Sequence, residues 1–258
     1  MSSETVFTKE NLDYCLRELG KEFRKLNGKT MPAEIILIGG ASVLANYGFR
    51  DATYDLDAFI QASSVMKEAI NRVGDKLGLP NGWLNSDFVR TKSYSPNLRA
   101  YSVYYKTFSN VLTVRTISGE YLVAMKLMSK RQYKNDISDI VGILWEQKER
   151  GEPITLQKID TAVSNLYGSW SSLPQDARQL VQDMLEEGKL EKLYTSYRQK
   201  ELENREIMLK FEEKYPGVTT KDNAEDILKK LKSKKEQSIN DEPLTEKTVC
   251  FKTNGLFV

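Results

Sequence analysis

Asp55-Leu56-Asp57 sets two carboxylates two positions apart. On a strand, that spacing sends both acidic side chains to one face and Leu56 to the other. Two carboxylates so close repel each other, and each resists ionising unless a positive charge compensates. Mg²⁺ supplies that charge, because it prefers one or two carboxylates completed by phosphate oxygens and water. Upstream, the apolar run Glu34-Ile35-Ile36-Leu37-Ile38 ends in Gly39-Gly40 and passes into Ala41-Ser42-Val43-Leu44. A glycine pair at that point lets backbone approach a phosphate closely, and Ser42 and a helix N-terminus offer donors. A nucleoside triphosphate needs both devices. Its β- and γ-phosphates need a cradle, and metal ions neutralise charge on the attacking and leaving oxygens. Alone, each motif is a common turn or strand; the reading rests on their pairing at neighbouring strand ends.

Composition narrows the chemistry further. The 258 residues include no histidine, which excludes Ser-His and Cys-His nucleophile pairs, histidine bases and histidine zinc sites. The two cysteines, Cys15 and Cys250, lie near opposite ends and support neither a disulfide framework nor a cysteine metal site. Catalysis is left to carboxylates, lysine, tyrosine or a hard metal held by oxygen. No apolar run approaches the roughly 20 residues that cross a bilayer. Met1-Ser2-Ser3-Glu4 lacks the basic-then-apolar pattern of a secretory signal, so a cytoplasmic protein without a membrane partner is expected. Between Arg90 and Lys134, nine basic residues face one acid, Glu120. That block suits a polyanionic ligand, with a solvated basic surface as the plain alternative.

The elements that must carry these residues follow from periodicity. Residues 8–27 read as an amphipathic helix with Thr8 as N-cap, Asn11 where a capping box prefers Glu, and Gly28 as the stop. A buried strand is expected over 34–38, then a short helix from Ala41 to Tyr47. A second strand is expected from Thr53 to Ile60 with Asp55 and Asp57 inside it, and a helix from Ser63 or Ser64 to about Leu77. Two strands follow near 100–105 and 111–116. Helices are expected over 120–131, 136–148 and from Thr155 to about Lys210. The order describes an α+β fold of α/β type: a short mixed sheet flanked by helices, followed by a helical C-terminal part. The expected parts are a core over 1–118, a helical domain over 119–200 completing the site, a long charged helix or helix pair over 201–240, and a tail over 241–258. Residues 201–240 carry nine basic and nine acidic residues, a salt-bridged surface pattern.

The stretch from Leu37-Ile38-Gly39-Gly40-Ala41-Ser42-Val43-Leu44 through Arg50-Asp51-Ala52-Thr53-Tyr54-Asp55-Leu56-Asp57 resembles the first motif of the DNA polymerase β-like nucleotidyltransferase superfamily. Within that superfamily it is similar to the branch that includes AbiEii-type toxins of bacterial toxin–antitoxin and phage-defence systems. That branch pairs its glycines with an Arg-x-x-Thr lead-in, here Arg50 to Thr53, ahead of the two aspartates. Tyr121-Leu122-Val123-Ala124-Met125-Lys126-Leu127, then Arg131, then Lys134-Asn135-Asp136-Ile137-Ser138-Asp139-Ile140 resembles the branch's second motif. Trp83-Leu84-Asn85-Ser86-Asp87 is similar to a loop of its less studied relatives. The likeness covers roughly 33–145.

The resemblance implies Mg²⁺-dependent transfer of a nucleoside monophosphate from a nucleoside triphosphate to an acceptor hydroxyl, with tRNA as one acceptor and a cognate antitoxin as a protein partner. It implies Asp55, Asp57, Lys126 and Asp136 as catalytic residues, with the first two holding the metal. Gly39, Gly40, Ser42, Arg50, Thr53 and Lys130 would bind the nucleotide; Asp87, Arg131 and Asp139 are weaker candidates. Read as residues, Lys126 sits among apolar neighbours, where a lysine requires an anion, and Lys130 is its i+4 neighbour. The plain alternatives are a lysine reaching out to solvent and an Asp136 that merely complements a helix N-terminus. The tyrosines Tyr94, Tyr101, Tyr104 and Tyr105 could stack on bases or fill a core.

One departure stands out. Polymerase β-like enzymes carry a third carboxylate on a later strand, and Arg99 to Thr116 contains none. Asp136 substitutes, or Asp87 does, or the base is missing. Two other readings therefore stay open: a nucleotide- or nucleic-acid-binding protein with a decayed site, and an interaction protein docking a partner. Protein hydroxyls and small molecules such as aminoglycosides also remain open as acceptors.

Overall fold

The computed structural model describes residues 6–29, 31–132, 134–220 and 223–240, the side chains only to 233. It divides into two compact units, 1–202 and 203–258. The first begins with α1 (Lys9–Asn27). Thr8 and Asn11 close a reciprocal cap, with the Thr8 amide donating to Asn11 Oδ1 at 2.8 Å and the Asn11 amide to Thr8 Oγ1 at 3.5 Å. Asparagine thus fills the role a capping box usually gives to glutamate. Next come β1 (Ala33–Leu37), α2 (Gly39–Asn46), β2 (Leu56–Gln61), α3 (Val65–Leu77) and β3 (Leu84–Asn85). After two 3₁₀ turns come β4 (Ser102–Phe108), β5 (Leu112–Ile117), α4 (Gly119–Ser129), α5 (Asp136–Glu149), α6 (Leu156–Tyr167) and α7 (Gln175–Glu187). Helix α8 (Leu190–Lys214) contains the border between units, and α9 (Ala224–Asn240) belongs to the second.

The sheet order is β3-β2-β1-β5-β4. Strand β1 runs antiparallel to β2 and parallel to β5. Burial on both faces explains its unbroken apolar run. One face, with Ile35, Leu37, Leu56, Ala58, Leu112 and Val114, packs on α1 and α3. The other face carries Ile36, Ile38 and Ile117 into a second core with α4, α5 and α6. The fold is α+β, a mixed five-stranded sheet flanked by helices with a helical C-terminal part.

Two local expectations change. The glycine pair forms the first turn of α2, with Ile38 as its extended N-cap. Strand β2 begins at Leu56, so Asp55 lies just ahead of it and only Asp57 is a strand residue. The helical stretches expected from Thr155 onward are three helices, separated by turns at Gly168 and Gly188. The sequence segments 1–118 and 119–200 fall in one unit. In the second unit, Met208, Ala224 and Leu228 are buried. The expected tail over 241–258 lies outside the described residues. Among those described, no helix is long and apolar enough to cross a membrane.

Candidate functional site

The two motifs meet at the C-terminal end of β1. The Ile38 amide donates to the Asp57 carbonyl at 2.8 Å, which holds the entry to α2 against β2 where the acidic pair emerges. Asp55 is exposed and Asp57 half-buried. Gly39 has a positive φ of 55° and open space where a side chain would stand. Gly40 is different. A Cβ there would lie 2.7 Å from Thr53 Oγ1 and 2.9 Å from an Arg50 guanidinium nitrogen. The second glycine therefore makes room for the Arg-x-x-Thr residues, while the first has open space beside it.

Arg50 and Thr53 are bracing residues in this structure. Arg50 Nε donates to the Ala52 carbonyl at 3.0 Å, and Thr53 Oγ1 to the Asp55 carbonyl at 3.3 Å. Thr53 is buried and bridges Phe7 through both backbone bonds. The Arg50 guanidinium pairs with Asp139 of α5 and lies close enough to Asp136 and Asp55 to feel their charges. Burial alone would pull its proton affinity down; the carboxylates outweigh that and push it up.

From Arg50 a chain of alternating charges runs inward. Asp139 accepts both Arg50 and Lys126, the latter at 2.7 Å. Lys126 reaches Asp136 at 2.8 Å. Asp136, wholly buried, also accepts Ser129 Oγ at 2.7 Å and three Arg131 donors: the amide at 3.1 Å, Nε at 2.9 Å and Nη2 at 3.2 Å. Burial would raise the Asp136 carboxyl, but Lys126 and Arg131 dominate and hold it well below the ordinary carboxylate range. Lys126 is likewise opposed by burial and held protonated by Asp136 and Asp139. The anion that a lysine among apolar neighbours requires is thus a pair of carboxylates from the next helix. With its oxygens saturated and its proton affinity depressed, Asp136 is a poor acceptor for a substrate proton.

The other expected residues are placed as follows. Ser42 is fully buried, and its hydroxyl accepts the Ile117 amide at 2.9 Å, tying α2 to β5. Lys130 follows the last turn of α4 in left-handed backbone, φ 37°, and pairs with Asp176 of α7. Its amide closes the last α4 hydrogen bond on the Lys126 carbonyl at 2.7 Å. Asp87 is exposed two residues beyond Asn85, which pairs with Asp57 across β2 and β3. Among the described residues, no three acidic or cysteine side chains converge as a metal cluster. The donor set at the site is the Asp55–Asp57 pair, oxygen ligands in the number Mg²⁺ takes from protein when phosphate supplies the rest. The stacking tyrosines divide. Tyr94 packs with Phe59 and Phe88, Tyr101 stacks on Tyr121, and Tyr105 donates to Asp13. Tyr104 is 62% exposed.

A family model described as a nucleotidyltransferase of unknown function (DUF6036) matches residues 15–146. The chain belongs to this family. The matched span runs from α1 to α5 and contains the glycine pair, the Arg50 brace, both strand-end aspartates and the whole Lys126–Asp136–Asp139 network. No curated protein and no solved structure matches the chain.

One participant lies beyond the family span and carries no sequence signal. Glu201 of α8 is buried, and its Oε1 accepts the Ile137 and Ser138 amides at 2.9 and 3.1 Å, capping the first turn of α5 from outside. Its Oε2 has no partner among the described residues. Burial pushes the carboxyl up to about 7, with Asp139 adding to the rise and the amides opposing it. In sequence it is one glutamate among nine acids of a charged stretch.

Proposed function

We propose that this nucleotidyltransferase moves a nucleoside monophosphate from a nucleoside triphosphate to an acceptor hydroxyl, with Mg²⁺ held by Asp55 and Asp57. One observation carries the reading: within the span the family matches, the acidic pair emerges beside the glycine-opened N-terminus of α2, joined to it by the Ile38–Asp57 backbone bond. Unpaired first-turn amides and the helix dipole favour the triphosphate's β- and γ-phosphates at Gly39. When bound, Mg²⁺ neutralises charge on phosphate oxygens and lowers the barrier to displacement. The acceptor oxygen forms a bond to the α-phosphorus, the bond to the bridging oxygen breaks, and pyrophosphate leaves. Arg50 and Lys126 act through the frame, because each already has carboxylate partners. Asp87 is the carboxylate best placed to take the acceptor's proton, being exposed and two residues along the chain from Asn85, Asp57's register partner.

We further propose tRNA or another RNA as acceptor, and a toxin of the AbiEii-type branch restrained by a cognate antitoxin as the biological setting. The motif likeness supports both, and the exposed basic residues of the 90–134 block that lie outside the buried network, Arg90, Lys92 and Arg99, support the first. The test is incubation with each α-labelled nucleoside triphosphate, Mg²⁺ and total tRNA. Wild-type protein labels the RNA. Asp57→Ala abolishes labelling without changing the fold. Asp87→Asn lowers kcat by about 10²-fold or more at unchanged triphosphate affinity if Asp87 is the base. A second reading draws on the neutralised Arg50 and Lys126 and the saturated Asp136: a site that binds nucleotide without transferring it. Triphosphate binding with no incorporation into any acceptor would favour that reading.

A further inference from the structure

We propose that the open cavity beyond Phe59 on the sheet face is the acceptor subsite, and that it takes the 3′-terminal nucleotide of a single-stranded RNA. The inference rests on the transfer reading above and adds the residues that would hold the acceptor. The cavity has a volume of about 290 Å³ and is lined by Glu34, Ile36, Phe59, Gln61 and Arg99, among others. Its place in the sheet is set by register. Glu34 pairs with Gln61 and Ile36 with Phe59, so these four side chains share the face that also carries Asp57. Phe59 is two residues along β2 from Asp57, about 7 Å at the usual strand rise.

The direction of the reaction assigns the cavity to the acceptor. Gly39 lies at the end of β1 where Ile38 bonds Asp57, and Glu34 lies toward the other end. With the triphosphate against Gly39, the pyrophosphate departs toward α2. In-line displacement brings the attacking oxygen from the opposite side. That side is the β2 surface running past Phe59 into the cavity.

The lining chemistry matches a nucleobase. Ile36 and Phe59 form an apolar floor. Among the described residues the Glu34 carboxylate accepts no hydrogen bond; Arg115 Nε stands at 3.9 Å, too long for one. Gln61 Oε1 takes an Arg99 donor, so its amide nitrogen is the group left to donate. One free acceptor, one amide donor and a guanidinium beside an apolar plane suit the edge and face of an unstacked base. A polycationic aminoglycoside in this cavity would meet the Arg99 guanidinium and a single lining carboxylate, Glu34, a poor balance for it.

The same face continues across the sheet, with Ile36 buried in the row and Arg115 and Tyr104 reaching the surface beyond it. Phe59, Ile36, Arg115 and Tyr104 form a cross-strand row over β2, β1, β5 and β4. Arg115 is fixed by Ser102, with Nε on its hydroxyl at 2.8 Å and Nη2 on its carbonyl at 2.7 Å. Tyr104, exposed at the sheet edge, offers a stacking plane for a base further back in the strand.

The test measures two affinities. One is fluorescence anisotropy of a 5′-labelled single-stranded RNA hexamer with a free 3′-hydroxyl; the other is calorimetry of Mg²⁺·nucleoside triphosphate. Glu34→Gln, Arg99→Ala and Tyr104→Ala each weaken hexamer binding by about tenfold and leave triphosphate affinity unchanged. The latter two alter exposed side chains and leave the core intact. The proposal is overturned if the wild type does not bind the hexamer, or if all three variants bind it as the wild type does. It is also overturned if the variants lose triphosphate and keep RNA, which makes the cavity the donor-base pocket. Retained triphosphate binding in those cases leaves the transfer reading standing. Failure of the wild type to bind any triphosphate removes the transfer reading and the acceptor assignment with it.

Discussion

Glu201→Gln isolates the buried cap on α5. In the folded protein the Glu201 carboxyl is pushed up to about 7 from an ordinary glutamate value of 4.5. The folded state therefore binds this proton more tightly than the unfolded chain. Stability from it is fully present below pH 4.5 and is lost as pH rises through 7. At about 1.4 kcal/mol for each pH unit, the difference amounts to about 3 kcal/mol. Glutamine keeps the oxygen that accepts the Ile137 and Ser138 amides but has no proton to lose. Urea unfolding at pH 5, 6, 7 and 8 follows the first unit selectively, because Trp83, Trp145 and Trp170 all lie within residues 1–202. The variant should be less stable than, or equal to, the wild type at pH 5 and gain on it by about 3 kcal/mol by pH 8. The protein's other titrating groups largely cancel in the difference. A stability difference that stays flat across this range would refute the reasoning and show the carboxylate ionised throughout.

Two further substitutions separate frame from chemistry. Gly40→Ala drives a Cβ into Thr53 Oγ1 and Arg50, at 2.7 and 2.9 Å, and should cost about 1–3 kcal/mol and weaken triphosphate binding by calorimetry; an alanine variant with wild-type affinity would refute the brace. Lys126→Met leaves Asp136 and Asp139 buried without their shared cation, and should destabilise the first unit by about 3–5 kcal/mol in the same urea assay, a larger loss than that of Asp57→Ala, whose carboxylate is only half-buried.

Much of the architecture was legible because it depends on local pattern. The amphipathic period of α1, the apolar run of β1 and the order of helices and strands follow from burial and side-chain direction, which adjacent residues determine among themselves. The acidic pair and the glycines could be read for the same reason: their spacing is meaningful on any strand and any helix start. Boundaries were less legible. Asp55 falls outside β2 because Arg50 and Thr53 hold the preceding loop, and that hold comes from a side-chain network, not from strand propensity.

Partnership is what the sequence left undecided. Lys126 plainly needed an anion, yet only packing of α4 against α5 shows that two buried carboxylates supply it. Ser42 and Lys130 carry the right atoms for a phosphate, but in the fold Ser42 is buried against the Ile117 amide and Lys130 pairs with Asp176, both partners distant in the chain. Glu201 gave no sign at all, since a cap delivered from a separate helix leaves no spacing to read. The sequence by itself determined which chemistry the chain can hold: oxygen ligands, a glycine-opened helix and no histidine. The tertiary structure decided which of those groups face outward and which neutralise one another. Electrostatic pairing acts over a few ångströms in space and is indifferent to separation along the chain.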